Sequence, residues 1–443
     1  MRERLPGYRG IALKVLLDAG VQVEDFVRLR RGSEIYEGIL FQRSQYDDDR
    51  HIVIKLKNGY NVGIRVTPDL IVERLGEGAK ATFTPPPFPQ TNPALPKVSI
   101  LSTGGTIASR VDYRTGAVTP AFSARDLYSI IPELSDIALI ETEEIFSIFS
   151  EDMGPEHWRV LAKVIARHIE GGAKGIVVAH GTDTMGYTAA ALSFALQNLP
   201  VPIILVGAQR SSDRPSSDAA LNLLAAVRAA TEAPFAEVVV AMHADPSDET
   251  VLFHRGVKVR KCHTSRRDAF KSINAHPIAA VKNGEVRILT EEYRRRGSGG
   301  ILELQPEFDE RAALLKFHPG FNPHIIEFLV EKGYRGIIFE GTGLGHVSKR
   351  CHEALRLASS EGVFLGMTSQ CLWGRVNMNV YYTGRDLQAI GIVPLEDMLP
   401  ETALVKLMWA LARAKEPESV KRIMLTNIAG EISPRTSFRW GAC

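Results

Sequence analysis

Six of the twelve residues between positions 85 and 96 are proline, in the stretch PPPFPQTNPALP. Proline lacks a backbone N–H and pushes the preceding residue out of the helical region, so neither a helix nor a central strand can run through this stretch. The stretch predicts an extended, semi-rigid linker that separates residues 1–84 from a much longer remainder.

The first 84 residues predict a small all-β domain. Short strand-type runs, separated by turn-rich stretches, cover 21–29, 35–42, 51–56 and 61–66, and an Asn-Gly pair between the last two favours a hairpin. Several short strands in so few residues indicate a closed barrel of the Sm or SH3 type, because closure removes exposed strand edges. Arginines lie beside three consecutive aspartates here. We therefore expect docking to another protein, with RNA contact as the alternative.

From residue 97 onward, apolar runs that end in glycine or polar turns alternate with amphipathic stretches. This alternation predicts βαβ units on a parallel sheet. A charged, glycine-rich loop at 293–300 interrupts it, and the alternation then resumes. We therefore expect a larger α/β domain over 97–300, a connection over 301–311, and a smaller C-terminal α/β domain with a tail over 312–443.

Charge and cysteine usage narrow the class of protein. Lysine and arginine number 53 against 51 aspartates and glutamates, so the net charge of +2 gives no overall attraction to nucleic acid. The cysteines, at positions 262, 351, 371 and 443, lack the CxxC spacing of a zinc cage and are typical of reduced thiols. No apolar run approaches the roughly 18 residues of a membrane helix. We expect a cytoplasmic protein without a metal site.

Glycine turns that carry hydroxyl or charged groups follow four of the predicted strands. They are STGGT at 102–106, HGTDT at 180–184, GAQR at 207–210 and EGTGLG at 340–345. Ligands of such sheets bind beyond the carboxyl ends of the strands, where glycine lets the backbone approach a ligand and a threonine supplies a hydroxyl. Any one of these turns alone could equally be a helix cap. Two similar turns with two threonines each favour a shared site.

TGGTIAS at 103–109 and HGTDTM at 180–185 resemble the two signature motifs of the L-asparaginase/glutaminase-type amidohydrolases. The resemblance covers about residues 97–430 and includes SEDM at 150–153 and KCHTSRRDAFKS at 261–272. A small barrel is not part of ordinary asparaginases. A barrel and a proline-rich linker before such a body resemble the D subunits of archaeal-type glutamyl-tRNA(Gln) amidotransferases. The resemblance implies an α/β asparaginase-like body of two domains with parallel sheets, preceded by the small barrel.

The resemblance implies four catalytic residues, Thr103, Thr182, Asp183 and Lys261. Thr103 matches the nucleophile, or one of two essential hydroxyls, and the other three match a hydroxyl, a carboxylate and an amine. Lys261 can take a threonine's proton only when neutral, whereas a close Asp183 favours the protonated amine. Which threonine attacks therefore stays open. Without the resemblance, the basic stretch around Lys261 would indicate a solvated face.

Four further residues are implied to bind substrate, Ser150, Glu151, Tyr113 and Gly104. Family usage places Ser150 on the α-carboxylate and Asp183 on the α-ammonium of the amino acid. Tyr113 matches the tyrosine of a mobile lid, and Gly104 lies in a turn whose N–H groups can form an oxyanion hole. Glu151 stands where many asparaginases have glutamine. A carboxylate there could reach the substrate ammonium and favour glutamine over asparagine, a preference that stays open.

The activity that the resemblance implies is glutamine hydrolysis within a tRNA-dependent amidotransferase. The ammonia would convert Glu-tRNA(Gln) to Gln-tRNA(Gln) together with an E-type partner subunit, which binds tRNA and uses ATP and Mg²⁺. This subunit itself would need no metal or organic cofactor. It would form a homodimer core, and a heterotetramer with the partner. A free-standing asparaginase/glutaminase with an accessory barrel is the main alternative, and an inactive binding module is disfavoured because all four catalytic residues are present.

Overall fold

The computed structural model describes residues 5–43, 47–56, 61–77, 92–104, 109–111, 118–120, 131–210, 217–298 and 300–436. Within these ranges the chain forms a small five-stranded β domain and an α/β body. Most of the proline-rich stretch and the predicted lid residue Tyr113 lie outside the described residues.

The small N-terminal domain is a meander of short antiparallel strands. It consists of α1 (Gly10–Asp18), β1 (Asp25–Arg31), β2 (Glu34–Leu40), β3 (His51–Lys55), β4 (Asn61–Arg65) and β5 (Leu70–Glu77). The strand order is β4-β3-β2-β1-β5, and every neighbouring pair is antiparallel. Residues of alternating positions, such as Val27 and Leu29, point into a core that Leu16 of α1 completes. The predicted all-β domain is confirmed.

An eight-stranded sheet organises the larger domain of the body. Its strands are β6 (Lys97–Gly104), β9 (Leu139–Ile148), β10 (Gly175–Ala179), β12 (Ile203–Val206), β13 (Val238–His243), β14 (Thr250–Arg255), β17 (Ala279–Lys282) and β18 (Glu285–Ile288). The order is β18-β17-β14-β13-β12-β10-β6-β9. The run from β13 to β9 is parallel, whereas β14, β17 and β18 are antiparallel. The sheet is therefore mixed, with a parallel half.

Helices and short strand pairs surround this sheet. The helices are α2 (Pro155–Glu170), α3 (Met185–Ala195) and α4 (Ala219–Glu232). The short pairs are β7 (Ser109–Val111) with β8 (Val118–Pro120), β11 (Leu196–Gln197) with β19 (Glu303–Leu304), and β15 (Val259–Lys261) with β16 (Phe270–Ser272). The central parallel strands β10, β12 and β13 are continuous apolar runs because both faces of the sheet are covered there, as buried Val177 and Val178 of β10 show.

The smaller domain has a four-stranded parallel sheet. Its strands, in spatial order, are β20 (Ala312–Lys316), β21 (Gly336–Gly341), β22 (Phe364–Ser369) and β23 (Val393–Pro394). The helices are α5 (His324–Glu331), α6 (His352–Ser360), α7 (Tyr382–Ile390), α8 (Pro400–Leu411) and α9 (Pro417–Leu425). The predicted α/β body of two domains is therefore confirmed, with parallel strands in both of its sheets.

A buried ion pair fixes the segment that follows α9. The Nζ of Lys406 in α8 lies 2.5 Å from Oε1 of Glu431, and both side chains are fully buried. The same ammonium donates to the carbonyl oxygens of Met424 and Thr426, at 2.9 and 2.6 Å. Burial lowers the pKa of Lys406, and Glu431 opposes that shift. This contact holds the C-terminal segment on the body of its own chain.

Candidate active site

Three elements of the larger domain bring the predicted catalytic residues together. Thr103 is the penultimate residue of β6, and Thr182 and Asp183 follow β10, the parallel neighbour of β6. Lys261 is the last residue of β15. The threonines and the aspartate lie at carboxyl ends of adjacent parallel strands, where ligands of such sheets bind.

Lys261, Thr182 and Asp183 form one hydrogen-bonded group. The Nζ of Lys261 donates to Oγ1 of Thr182 and to Oδ1 of Asp183, both at 2.8 Å. The side chain of Lys261 is 13% exposed, whereas that of Asp183 is 68% exposed. The amine is thus largely withdrawn from water, and the carboxylate stays open to a ligand. The structure thus brings a hydroxyl, an amine and a carboxylate into contact.

Thr103 lies on the neighbouring strand and has a different partner. Its hydroxyl donates to the carbonyl oxygen of Ala179 at 3.0 Å, and the residue is 1% exposed. A backbone carbonyl is not a base strong enough to activate a hydroxyl. The amine of Lys261 is hydrogen-bonded to Thr182, whereas the hydroxyl of Thr103 is bonded to the backbone.

Ser150 is packed directly against the second turn. It opens a single helical turn, Ser150–Asp152, after β9, and its carbonyl oxygen accepts a bond from Oγ1 of Thr184 at 2.6 Å. A Cβ atom added to Gly181 would lie 2.7 Å from Cβ of Ser150. Only glycine at 181 therefore allows the two segments to touch. Ser150 is buried, whereas Glu151 is exposed.

Glycine is also required at two other points around the threonines. Gly104 has a φ of +99°, and an added Cβ would lie 2.5 Å from the carbonyl oxygen of Ile148. An added Cβ on Gly207 would lie 2.8 Å from Cγ2 of Thr182. The first and third turns thus approach their neighbours more closely than any side chain would allow.

The third turn is held by a buried polar group that the sequence did not reveal as part of a site. Asp218 is fully buried, and its carboxylate accepts the backbone N–H groups of Gln209 and Arg210 at 3.0 Å. Asn222 donates to the carbonyl oxygen of Gly207 at 2.9 Å and to Asp218 at 3.2 Å. The four-residue spacing between the aspartate, which caps α4, and the asparagine in its first turn was the available signal, since it places both on one side of the helix.

His180 is a neutral structural group between the strand and the second turn. It is fully buried, and its Nδ1 lies 2.7 Å from the carbonyl oxygen of Gly181. Since that oxygen can only accept, Nδ1 carries the proton. Burial lowers the pKa of His180 to about 4. His180 is therefore uncharged near neutral pH.

We expect His180 to make folding stability fall as the pH is lowered from 6.5 to 4. In the unfolded chain the imidazole takes a proton near 6.5, but in the folded chain only near 4, so the unfolded state binds more protons between these values. At about 1.4 kcal/mol per pKa unit, the loss from this residue is about 3 kcal/mol. Urea unfolding at pH 7, 5.5 and 4 measures it. His180→Gln should flatten the pH dependence, and an unchanged slope would contradict the assignment.

Within the described residues, no three histidine, cysteine, aspartate or glutamate side chains converge as metal ligands would. No helix of the described part of the chain has the length and apolar character needed to span a membrane.

Three family models match the chain. Residues 97–294 match "Asparaginase, N-terminal", residues 311–424 match "Glutaminase/Asparaginase C-terminal domain", and residues 21–75 match "GatD N-terminal domain". The first two models together cover most of the α/β body, and the third covers most of the small β domain.

Curated relatives of similar length are glutamyl-tRNA(Gln) amidotransferase subunits D. The one from Metallosphaera sedula is 54% identical over 443 residues, covering 98% of this chain and 99% of its own. The one from Methanothermobacter thermautotrophicus is 52% identical over 434 residues, with coverage of 98% and 99%.

Similar solved structures are asparaginases that lack a counterpart for part of the chain. The thermostable L-asparaginase from Thermococcus kodakarensis is 33% identical, with a TM-score of 0.68, and covers 76% of this chain and 100% of its own. L-asparaginase I from Vibrio cholerae is 29% identical, with a TM-score of 0.68, and covers 77% of this chain and 100% of its own.

Proposed function

Because the chain belongs to the family of glutamyl-tRNA(Gln) amidotransferase D subunits, with an asparaginase-type body, we propose that it hydrolyses glutamine and supplies the ammonia to a tRNA-bound acceptor. The observation that carries this proposal is similarity over almost the whole length, including the small domain that matches its own family model. The alternative is a free-standing asparaginase/glutaminase. The likeness of the body alone to solved asparaginases supports that reading, but it leaves the small domain without a role.

In the proposed reaction, the exposed carboxylate of Asp183 binds the α-ammonium of glutamine, and Ser150 binds its α-carboxylate. The hydroxyl oxygen of Thr103 forms a bond to the side-chain amide carbon, and the carbon–nitrogen bond breaks. The departing nitrogen takes the proton that the hydroxyl loses and leaves as ammonia. Water then cleaves the resulting ester, releases glutamate and restores the threonine. The backbone N–H of Gly104 contributes to stabilising the oxyanion formed in each half of the reaction.

The open position of Asp183 explains how Lys261 could become a base. In the free protein the carboxylate of Asp183 lies 2.8 Å from the Nζ of Lys261. A substrate ammonium bound to the same carboxylate brings a second positive charge to the group. The substrate ammonium then competes with Lys261 for the carboxylate of Asp183. Substrate binding thus frees Lys261 to accept a proton through Thr182, which it already contacts.

The rest of the assembly follows from the same proposal. An E-type partner subunit binds Glu-tRNA(Gln) and uses ATP and Mg²⁺ to activate its glutamate, while this subunit uses no metal or organic cofactor. The ammonia then converts the activated group to Gln-tRNA(Gln). We further propose a homodimer core, a heterotetramer with the partner, a cytoplasmic location, and partner docking by the small β domain. Glu151 and Tyr113 contribute to substrate binding in this proposal.

Comparing glutamine hydrolysis with and without the partner tests the proposal. We expect the purified chain to release ammonia slowly, and the E-type subunit with Glu-tRNA(Gln) to accelerate it about tenfold or more, because unregulated hydrolysis would waste glutamine. Ammonia release is measured with glutamine and with asparagine as substrate. Fast hydrolysis of asparagine that the partner leaves unchanged would instead establish a free asparaginase.

A further inference from the structure

The residues that precede Lys261 are attached to the smaller domain. Oγ1 of Thr402 donates to the carbonyl oxygen of Val257 at 3.0 Å. The ammonium of Lys258 lies 2.7 Å from Oδ2 of Asp397. The guanidinium of Arg260 lies 3.1 Å from Oε1 of Glu401. All three partners lie between residues 397 and 402, at the start of α8, so one short segment of the smaller domain holds the strand that ends at Lys261.

Side chains in and just before β15 point in two directions, toward the smaller domain or toward the larger one. Successive side chains of a strand point to opposite sides. Arg260 of β15 reaches the smaller domain, as does Lys258 just before the strand, whereas Val259 lies in a buried hydrophobic core and Lys261 reaches Thr182 and Asp183. Arg260, the middle residue of β15, is therefore an anchor to the smaller domain, Lys258 is a second anchor just before the strand, and Lys261, the last residue, points into the candidate active site.

The pair formed by Lys258 and Asp397 is fully enclosed. The two side chains are 1% and 3% exposed, and the second carboxylate oxygen of Asp397 accepts the backbone N–H of Ser433 at 2.8 Å. Burial lowers the pKa of Lys258, and Asp397 opposes that shift. Removing one charge from such a pair leaves the other buried and uncompensated, so the pair holds its geometry strongly.

The returning strand of the hairpin is attached to the smaller domain as well. The side-chain amide of Asn274, just beyond β16, donates to the carbonyl oxygen of Gly374 and accepts its N–H, both at 2.9 Å. Beyond Lys261, the tip at residues 262–266 is exposed. Lys261 therefore stands at the point where the hairpin leaves the body, and its position depends on the anchors behind it.

We propose that the ion pairs Lys258–Asp397 and Arg260–Glu401 position Lys261 for the reaction. Through these pairs the smaller domain holds the amine of Lys261 within hydrogen-bonding distance of Thr182 and Asp183. None of the four residues touches the substrate in this proposal, and they act through Lys261 alone. The inference rests on the function proposed for Lys261. A displacement near 1 Å at a catalytic group can lower a rate about 100-fold, so the partly exposed Arg260–Glu401 pair should have a measurable effect.

The test reverses the charge of Arg260, of Glu401, or of both residues together, in the full chain. We expect Arg260→Glu and Glu401→Arg each to lower kcat for glutamine about tenfold or more with little change in KM, because the amine moves while Ser150 stays in place. The exchanged double variant should recover most of kcat. Arg266→Glu is the matched control, since Arg266 lies on the same hairpin but pairs within it, with Asp268 at 2.8 Å.

A purely structural pair would lower Tm but leave kcat unchanged, and that result would overturn the inference. So would a loss of kcat that the exchanged double variant does not restore. Lys261→Met and the unchanged protein are measured in the same series. If the wild-type protein does not hydrolyse glutamine, the proposed function is wrong. If Lys261→Met is as active as the wild type, the role of Lys261 is wrong. Neither result concerns the positioning of Lys261 by the ion pairs. The conservative variant Arg260→Gln, should Arg260→Glu not fold, is expected to show the same selective loss of kcat.

Discussion

Replacing Thr103 with valine is expected to lower kcat for glutamine by about 10⁴-fold or more, in line with the loss when a hydrolase loses its nucleophilic hydroxyl. Valine keeps the shape of threonine and removes only the group that would form the ester. Thr103 is 1% exposed, and its hydroxyl contacts a backbone carbonyl, so little else at the site depends on it. Ammonia release, followed with the Tm of each variant, measures the effect.

Thr103→Ser and Thr182→Val are the controls for this prediction. Serine keeps a hydroxyl, so its enzyme should retain far more activity than the valine enzyme. If Thr103 attacks and Thr182 relays the proton to Lys261, the two valine variants act on one step, and the double variant should be little worse than Thr103→Val alone. A Thr103→Val enzyme that keeps more than about a tenth of the activity, beside an inactive Thr182→Val enzyme, would make Thr182 the nucleophile instead.

The position of the site at the carboxyl ends of the strands was predictable from local sequence pattern, because the glycine turns at the ends of β6 and β10 come after apolar runs. Strands that end in such turns place Thr103 and Thr182 on one edge of a parallel sheet without any knowledge of relatives. The small β domain was predictable for the same kind of reason, since short strand-type runs and one Asn-Gly pair are local signals.

The contact between Lys261 and Thr182 was not predictable from pattern, because the residues are 79 positions apart and meet only when the β15–β16 hairpin folds over the sheet. The basic stretch around Lys261 would ordinarily indicate a solvated face. The structure shows instead that Lys258 is 1% exposed. Its buried charge is paired with Asp397, which lies 139 positions further along the chain in the smaller domain. Burial of a charge depends on such a distant partner, and no local spacing records it.

Replacing Lys261 with methionine is expected to lower kcat about 10³-fold, within the range for loss of a general base. Methionine has a similar length and flexibility but has no amine, so Thr182 loses the group that we propose accepts its proton. Asp183 loses its cation at the same time and stays free to bind the substrate ammonium. KM for glutamine should therefore stay the same or decrease, although kcat decreases strongly.

Lys261→Arg separates the two roles that an amine could have at this position. Arginine keeps the positive charge and the ion pair with Asp183, but a guanidinium does not lose its proton in proteins. If Lys261 acts as a base, the arginine enzyme should be about as slow as the methionine enzyme. If its charge alone matters, for example by stabilising the oxyanion, arginine should restore much of kcat. The Nζ of Lys261 lies 2.8 Å from Oγ1 of Thr182, within reach for a proton transfer, and kcat of the arginine enzyme decides between the two roles.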